Sequence, residues 1–503
     1  MLNRRALLQA GGGAVAAAAI GGVGAETAFG IGRGWERLRS RLTGDLVLPS
    51  DPGYAQAKQL QIAQYDSVNP QAIAYCANTT DVRDCVRFAQ AHGIPVRVRS
   101  GGHNLSGWST IDGLVIDLAR INHVAVGGST LTLGAGLQSV DALAKLRPHN
   151  KQIPAGTCPT VAQGGFLSGG GIGYQTRKFG LGSDRIVSAG VVLASGRFVR
   201  ASTTEEPDLY WALRGGGGNN FGVVVDFEVR PINAPTSVNF DLMWSIDDAL
   251  DVFAAWQAWI SGGSNDIGTS LVVLPPADAG GAAVVLVTGS CLGPRPALET
   301  ALNQLVERAG VQPLSRVVGG QLPYADSLHI KYCREMTLEQ CHREGTTPAA
   351  ELPRMPFQRQ SYQFVNRTLT AAETGSLFST WDSHTTLKHR YIQCIAMGGA
   401  MSDTGRTATA FVNRDAKFLL GYQVGLDSPT PPREEIAEAT AWTDAGAAAL
   451  EPLASGSYIN FPSSRPVADW ATSTYGENHA RLRRVKRRYD PAGFFRHPQS
   501  IRP

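Results

Sequence analysis

Residues 94–104 read Ile94-Pro95-Val96-Arg97-Val98-Arg99-Ser100-Gly101-Gly102-His103-Asn104, and the parsing of this stretch decides the fold. Ile94, Val96 and Val98 alternate with other residues, which is the period of a strand. The chain then turns at once through two glycines and delivers an imidazole. A tight loop at a strand end is a common place for ligand contacts where strands and helices alternate. Successive backbone N–H groups in a glycine-rich turn make a nest for an anion such as a pyrophosphate. Turns favour small residues, so His103 is unusual there; taken alone it reads more readily as a surface histidine.

Upstream, residues 72–76 are expected as a strand. Thr80 is expected to cap a helix whose apolar positions Val82, Cys85, Val86 and Ala89 fall at i, i+3, i+4 and i+7, with Gly93 ending it. Downstream, residues 114–118, 123–126 and 130–133 read as strands. Residues 187–199 read as a hairpin turning at Ala194-Ser195-Gly196. A short helix at 208–213 opens onto a glycine run, and a strand follows at 223–229. Near Ala234 the character changes. From Phe240 to about Pro432, strand-like runs at 271–274, 283–287, 390–397 and 418–424 alternate with helices, the pattern of an antiparallel sheet covered by helices. Residues 427–432 form a linker, 434–451 an alanine-rich helix, and the tail a Tyr/Asn/Phe segment followed by a basic helix.

The chain has 503 residues, too many for one ordinary core, with 43 % hydrophobic and 17 % charged residues, which suits a folded protein of two domains or one with an insertion. The net charge is only +4. Much of the excess is local, in Arg481, Arg483, Arg484, Lys486, Arg487 and Arg488, and reads as a solvated helix face. No zinc-finger spacing or aromatic–basic repeat points to nucleic acid. Asn3-Arg4-Arg5-Ala6-Leu7-Leu8 precedes a small, apolar, uncharged run to Ala25. This resembles a twin-arginine export signal and is too short and glycine-rich for a good membrane span. The expected location is therefore periplasmic or extracellular. The seven cysteines match no metal-site spacing. Cys76 with Cys85, and Cys333 with Cys341, are near pairs in sequence. The odd count leaves at least one cysteine outside any intramolecular disulfide, and Cys158 is the candidate.

Two further constellations accompany the first. Gly156-Thr157-Cys158-Pro159-Thr160-Val161 runs into Gly164-Gly165 and Ser168-Gly169-Gly170-Gly171-Ile172-Gly173. A buried structural cysteine would explain Cys158 alone. The proline beside it and the glycines after it, however, suit the close approach of a large flat ligand. Arg214 to Val223 is the third. It has neither a P-loop lysine nor a clean Gly-x-Gly-x-x-Gly between strand and helix, which argues against nucleotide sites of those kinds.

The ordered motifs Arg99 to His103, Gly156 to Val161, Ser168 to Gly171, Arg177 to Leu181, Asp208 to Gly217 and Asn220 to Val224 resemble the FAD-binding domain of the vanillyl-alcohol-oxidase superfamily, of p-cresol-methylhydroxylase type. The tail, with Tyr475 to Asn478, Tyr489-Asp490-Pro491, Phe495 and Gln499-Ser500-Ile501, resembles its berberine-bridge-enzyme-like branch. The resemblance implies an α+β fold: a two-part FAD-binding domain at 41–235 and 435–503, a substrate-binding domain inserted at 236–434, and a signal and leader at 1–40. It implies covalent FAD, with His103 bonded to the 8α-methyl of the flavin and Cys158 to C6 of the isoalloxazine. Two such links fix the ring, raise its potential and leave a face open to substrate. The cofactor site expected from the matching motifs adds Arg99, Ser100, Gly101, Gly102, Asn104, Gly107, Thr157, Gly164, Gly165, Ser168, Gly169, Gly170, Gly173, Gly222, Val223 and Asn478, with no metal.

The implied activity is that of an oxidase. A hydride passes from an alcohol or sugar-like carbon of a small substrate to flavin N5, a base takes the hydroxyl proton, and dioxygen becomes hydrogen peroxide. The family often carries a tyrosine base at the last position of Tyr-x-Asn-Tyr. Here the segment is Tyr458-Ile459-Asn460-Phe461, and phenylalanine takes no proton. Tyr422 is the first replacement expected, on the strand after Phe418, where Leu420 shares its face by alternation and falls where relatives often carry a charge. Tyr391 and Tyr458 follow, then His389, Cys394 and Lys388. Phe461 also leaves open an oxidative cyclase or desaturase, which needs no alcohol base. The sequence is compatible too with a dehydrogenase that avoids oxygen, with a noncovalent or singly linked flavin, and with a flavin-free binding protein.

Overall fold

In the computed structural model, which describes residues 33–276, 281–383, 386–465 and 467–503, the strand before the glycine turn is Val96–Arg99. It pairs in parallel with Leu114–Asp117, which pairs in parallel with Ala72–Tyr75, and Asp45–Val47 closes the four-stranded sheet antiparallel. Parallel neighbours need a crossover, and the helix Thr79–His92 supplies one. Its cap corrects the expected one. Asn78, not Thr80, accepts from the N–H groups of Thr80 and Asp81, because a side chain must sit just ahead of the helix to reach its second and third N–H. Gly93, at φ +64°, ends the helix.

A second, five-stranded antiparallel sheet has the order Val124–Val126, Leu131–Gly134, Val223–Val229, Ile186–Val192, Phe198–Ser202. The expected hairpin is its last pair. The returning helix His479–Tyr489 packs on this sheet's core through Leu482, Val485 and Tyr489. Arg483, Arg484, Arg487 and Arg488 form the solvated face expected of the basic run. Lys486 does not. It is buried, and its ammonium bonds the Asp490 carboxylate at 2.7 Å and the carbonyls of Asn220 and Phe495, tying the tail to the glycine loop before residue 221.

The third sheet is antiparallel and larger. Its order runs Ser315–Val318, Thr236–Ser245, Val284–Cys291, Ile267–Leu274, His389–Ala396, Phe418–Leu426, Phe357–Val365. The helices Ala249–Gly262, Arg295–Ala309 and Ala371–Asp382 cover one face, in a core that includes Trp244, Trp256, Phe418 and Leu420. Arg433–Leu450 belongs to the same layer: Ala439, Trp442 and Leu450 enter that core. This corrects the expected return to the cofactor domain at 435, since an alanine-rich stripe bearing one tryptophan is buried by the sheet it lies on. The opposite face looks toward the first two sheets.

Cys333 and Cys341 are disulfide-bonded. Cys76 and Cys85 are buried free thiols with their sulfurs 3.9 Å apart. No helix among the described residues is long and apolar enough to cross a membrane. The paired arginines and the run to Ala25 lie outside the described residues.

Candidate active site

A cavity of about 420 Å³ opens where the three sheets meet, inside the roughly 300–1,000 Å³ range of small-molecule and cofactor sites. One wall is main chain. The turn after Val96–Arg99 brings Ser100, Gly101, Gly102, His103 and Asn104 to the surface of the cavity. The segment Gly156, Thr157 and Cys158 lies alongside, followed by Gly164, Gly165 and Ser168. A Cβ on Gly101 would stand 2.7 Å from the Thr160 carbonyl oxygen and 2.8 Å from the Ala162 nitrogen, so the two loops pack backbone to backbone. At Gly165 and Gly218 a Cβ would meet nothing within 4 Å, and both residues line the cavity. This pattern fits FAD: a long groove floored by bare backbone, with donors for phosphates and no side chain filling it.

Each loop is held from behind. Asn104 accepts from the N–H groups of Ser106 and Trp108, closing its own turn. The Pro159 and Val161 carbonyls accept from Val140 and Ser139 at the start of the helix Ser139–Leu146. Tyr332, from the inserted region, donates to the Gly156 carbonyl at 2.7 Å. Asn219 brackets Val98 with two hydrogen bonds, at 2.7 and 3.2 Å.

His103 bonds Thr160 Oγ1 through Nε2 at 2.7 Å. Burial, then the nearby Arg343 guanidinium, lowers its pKa to about 4, so the ring is neutral at physiological pH. Five cysteines are free. Four are buried, and Cys158 alone is exposed, toward the cavity. The protein matrix around it holds its thiol above the ordinary range.

The facing wall comes from the uncovered face of the large sheet. By register, Gln360, Gln423 and Tyr391 lie in one row, and Tyr362, Gly421 and Gln393 in the next. Gln358, Tyr362, Tyr391, Gln393 and Gln423 line the cavity. The Tyr362 ring packs where a Cβ on Gly421 would be, 2.2 Å from it, and its hydroxyl lies 3.1 Å and 3.2 Å from the amide oxygens of Gln393 and Gln423. Burial, then the Cys158 sulfur, raises the Tyr391 pKa above the ordinary range, and a hydrogen bond from Tyr362 opposes them. Tyr458 accepts from the Gly171 N–H and the Asn460 amide, both at 3.1 Å, yet burial still pushes it up to about 12. Phe461 packs between Tyr362 and Tyr458, at 5.1 and 5.4 Å between ring centroids. Among the described residues lining the cavity there is no Asp, Glu, Lys or Arg.

Several expected residues stand elsewhere. Tyr422 is corrected: it lies on the helix-covered face, its ring over Gly446 and against Trp442, its hydroxyl donating to the Leu377 carbonyl at 2.7 Å. Leu420 shares its face as alternation requires, but that face is the apolar core, as is that of Cys394. His389 and Lys388 are exposed at a strand end, and His389 pairs with Asp427. The Arg99 side chain turns from the cavity into a buried pair with Asp117. Asn478 is corrected from cofactor ligand to clamp, since its amide donates to the carbonyls of Arg406, Thr409 and Ala410. Val223 enters the core between sheets, and alternation gives the cavity to Gly222 and Val224. Gly107, Gly169, Gly170 and Gly173 shape the loops without lining the cavity: positive φ serves Gly107 and Gly170, while Gly169 abuts Asn460 and Gly173 the Ala155 carbonyl.

Sequence reasoning missed the glutamines, Tyr362, and His497, which stacks on Trp108 at 4.6 Å and lines the far end of the cavity with a buried, unpartnered Nδ1. The signal was present in Phe357–Val365, where glutamine and tyrosine recur at every second position, 358, 360 and 362.

Comparison with known proteins agrees with this geometry. The family described as FAD binding domain matches residues 70–202, and the family described as berberine and berberine like matches residues 457–502. An uncharacterized FAD-linked oxidoreductase, YgaK, of Bacillus subtilis is 28 % identical over 475 residues, covering 92 % of this chain and 98 % of the relative. Berberine bridge enzyme-like 12 of Arabidopsis thaliana is 30 % identical over 461 residues, covering 84 % and 82 %. Among solved structures, a chitooligosaccharide oxidase superposes with a TM-score of 0.81 at 24 % identity, over 93 % of this chain and 99 % of that one, which is a likeness of fold.

Proposed function

The chain belongs to the berberine and berberine-like family of FAD-linked oxidoreductases, and on that premise we propose that it is an oxidase holding its FAD by two covalent bonds, through His103 and Cys158. One observation carries this reading: the sole exposed free thiol and a neutral imidazole line the same glycine-floored cavity. When bound, the flavin accepts a hydride and passes two electrons to dioxygen, giving hydrogen peroxide.

The substrate in this reading is a small neutral molecule oxidised at an alcohol or sugar-like carbon. The wall facing the glycine loops, formed by Gln358, Tyr362, Tyr391, Gln393 and Gln423, carries no charged side chain to pair with a charged group on the substrate. Gln393 and Gln423 orient hydroxyl groups, and Tyr391 holds the proton that leaves the oxidised hydroxyl. C6 and N5 are neighbouring positions of the isoalloxazine. Cys158 would hold the ring at C6, and Tyr391 lines the same cavity and feels the Cys158 sulfur. A second reading, oxidative ring closure or desaturation, is favoured by Phe461 and by the lack of any lysine or arginine among the described residues lining the cavity to ease a tyrosine proton away.

The test is anaerobic flavin bleaching against neutral alcohols and oligosaccharides, then peroxide release in air. Bleaching with peroxide supports the oxidase. Bleaching that dioxygen does not reverse assigns a dehydrogenase, and bleaching only by substrates without an oxidisable alcohol assigns the second reading. Arg4 and Arg5 support an exported protein, periplasmic or extracellular. Replacing both with lysine should trap it inside the cell, as fractionation would report.

A further inference from the structure

Thr160 touches His103 across 57 positions of sequence, yet neither bond to the flavin is made by it. Resting on the two-bond reading, we propose that Thr160 is a positioning residue that fixes the tautomer and aim of His103, coupling the cysteine loop to the histidine turn so that the two bonds to the flavin form in register.

Three observations carry this. The Thr160 hydroxyl engages Nε2 at 2.7 Å, so Nδ1 is the ring nitrogen left for the cavity. In a neutral imidazole one nitrogen carries the proton, and the hydrogen bond made by one decides the state of the other. In the tautomer whose Nε2–H donates to Thr160 Oγ1, the lone pair sits on Nδ1, where a nucleophile is needed. Second, Thr160 is 4 % exposed and its carbonyl presses on Gly101 with no room for a Cβ, so its hydroxyl cannot drift relative to the turn. Third, only Pro159 separates Thr160 from Cys158. A shift of the cysteine loop therefore moves the imidazole's anchor as well.

Atoms and electrons balance in the attachment step. A bond forms between Nδ1 and the 8α-carbon, and one methyl C–H breaks with its proton going to solvent. The two electrons pass into the ring and on to dioxygen. The Nε2 proton, last held against Thr160, leaves after the bond forms. The net reaction turns imidazole N–H, methyl C–H and dioxygen into the N–C bond and one hydrogen peroxide.

The experiment compares full-length wild type with Thr160→Val, which keeps shape without the hydroxyl, and Thr160→Ser, which keeps the hydroxyl. Protein produced without flavin is incubated with FAD, and each attachment is timed by peptide mass. Thr160→Val should form the His103 bond at least about tenfold more slowly, the loss of one hydrogen bond to the reacting group, while FAD uptake and the Cys158 bond persist. Thr160→Ser should recover the wild-type rate. A Thr160→Val protein that forms the His103 bond at the wild-type rate overturns the proposal, as does a serine variant as slow as the valine one. Wild type carrying no flavin mass on either peptide fails the two-bond reading itself, and is told apart by that control.

Discussion

The two faces of the large sheet carry tyrosines in adjacent strands and put them to different uses. On the covered face Tyr422 is buried, its ring against Trp442 and its hydroxyl on the Leu377 carbonyl. On the open face Tyr391 and Tyr362 stand among Gln358, Gln393 and Gln423, against the loops that carry His103 and Cys158. Burial raises the tyrosine pKa on both faces. A shifted pKa therefore does not distinguish packing from chemistry here; the neighbours do.

The sharpest test of the comparison is Tyr391→Phe. It should slow flavin reduction by about 10²–10⁴-fold, the usual worth of a positioned proton acceptor, without changing flavin content or melting temperature. Rapid-mixing absorbance at the flavin band reads it. Next comes Trp442→Ala on the covered face, expected to cost about 3–5 kcal/mol of stability in urea unfolding, with the surviving folded enzyme reducing its flavin normally. If that variant lost reduction rate instead, the helix layer would be coupled to the chemistry.

The pH dependence gives a third test. A base acts deprotonated, and burial holds Tyr391 protonated at neutral pH. Below its pKa, each unit by which the pH rises increases the active fraction tenfold, so alcohol-dependent reduction should climb without a plateau through about pH 10. A plateau near neutrality would move the base to another group. The smallest effect is expected of Tyr422→Phe. It should cost about 1 kcal/mol, the net worth of one buried hydrogen bond, and leave reduction and spectrum as in wild type.

The cofactor side was far more legible in the sequence than the substrate side. Glycines in ordered motifs at 101–102, 164–165 and 215–218 mark where backbone must approach a ligand, and the first sheet follows from local alternation and a helix period. Phe418–Leu426 offered no such signal. All but one of its nine residues are buried, so neither face reads as solvated, and which face meets the cavity depends on how the helices Ala371–Asp382 and Arg433–Leu450 pack on it. The likeness of this strand to one whose alternate residues face the flavin points to Tyr422, whereas Gln423 beside it lines the cavity. Asn478 matched a motif and turned out to clamp the loop at 406–410. Lys486 looked like one of a solvated run and is buried because Asp490 follows it by one helical turn.

The most direct measurement is acid precipitation of the purified protein, with absorbance of pellet and supernatant and mass spectrometry of the digested pellet. Yellow colour retained in the pellet, with flavin mass on peptides containing both His103 and Cys158, is the result expected. Colour released wholly into the supernatant, with both peptides at their unmodified masses, would contradict the covalent oxidase reading.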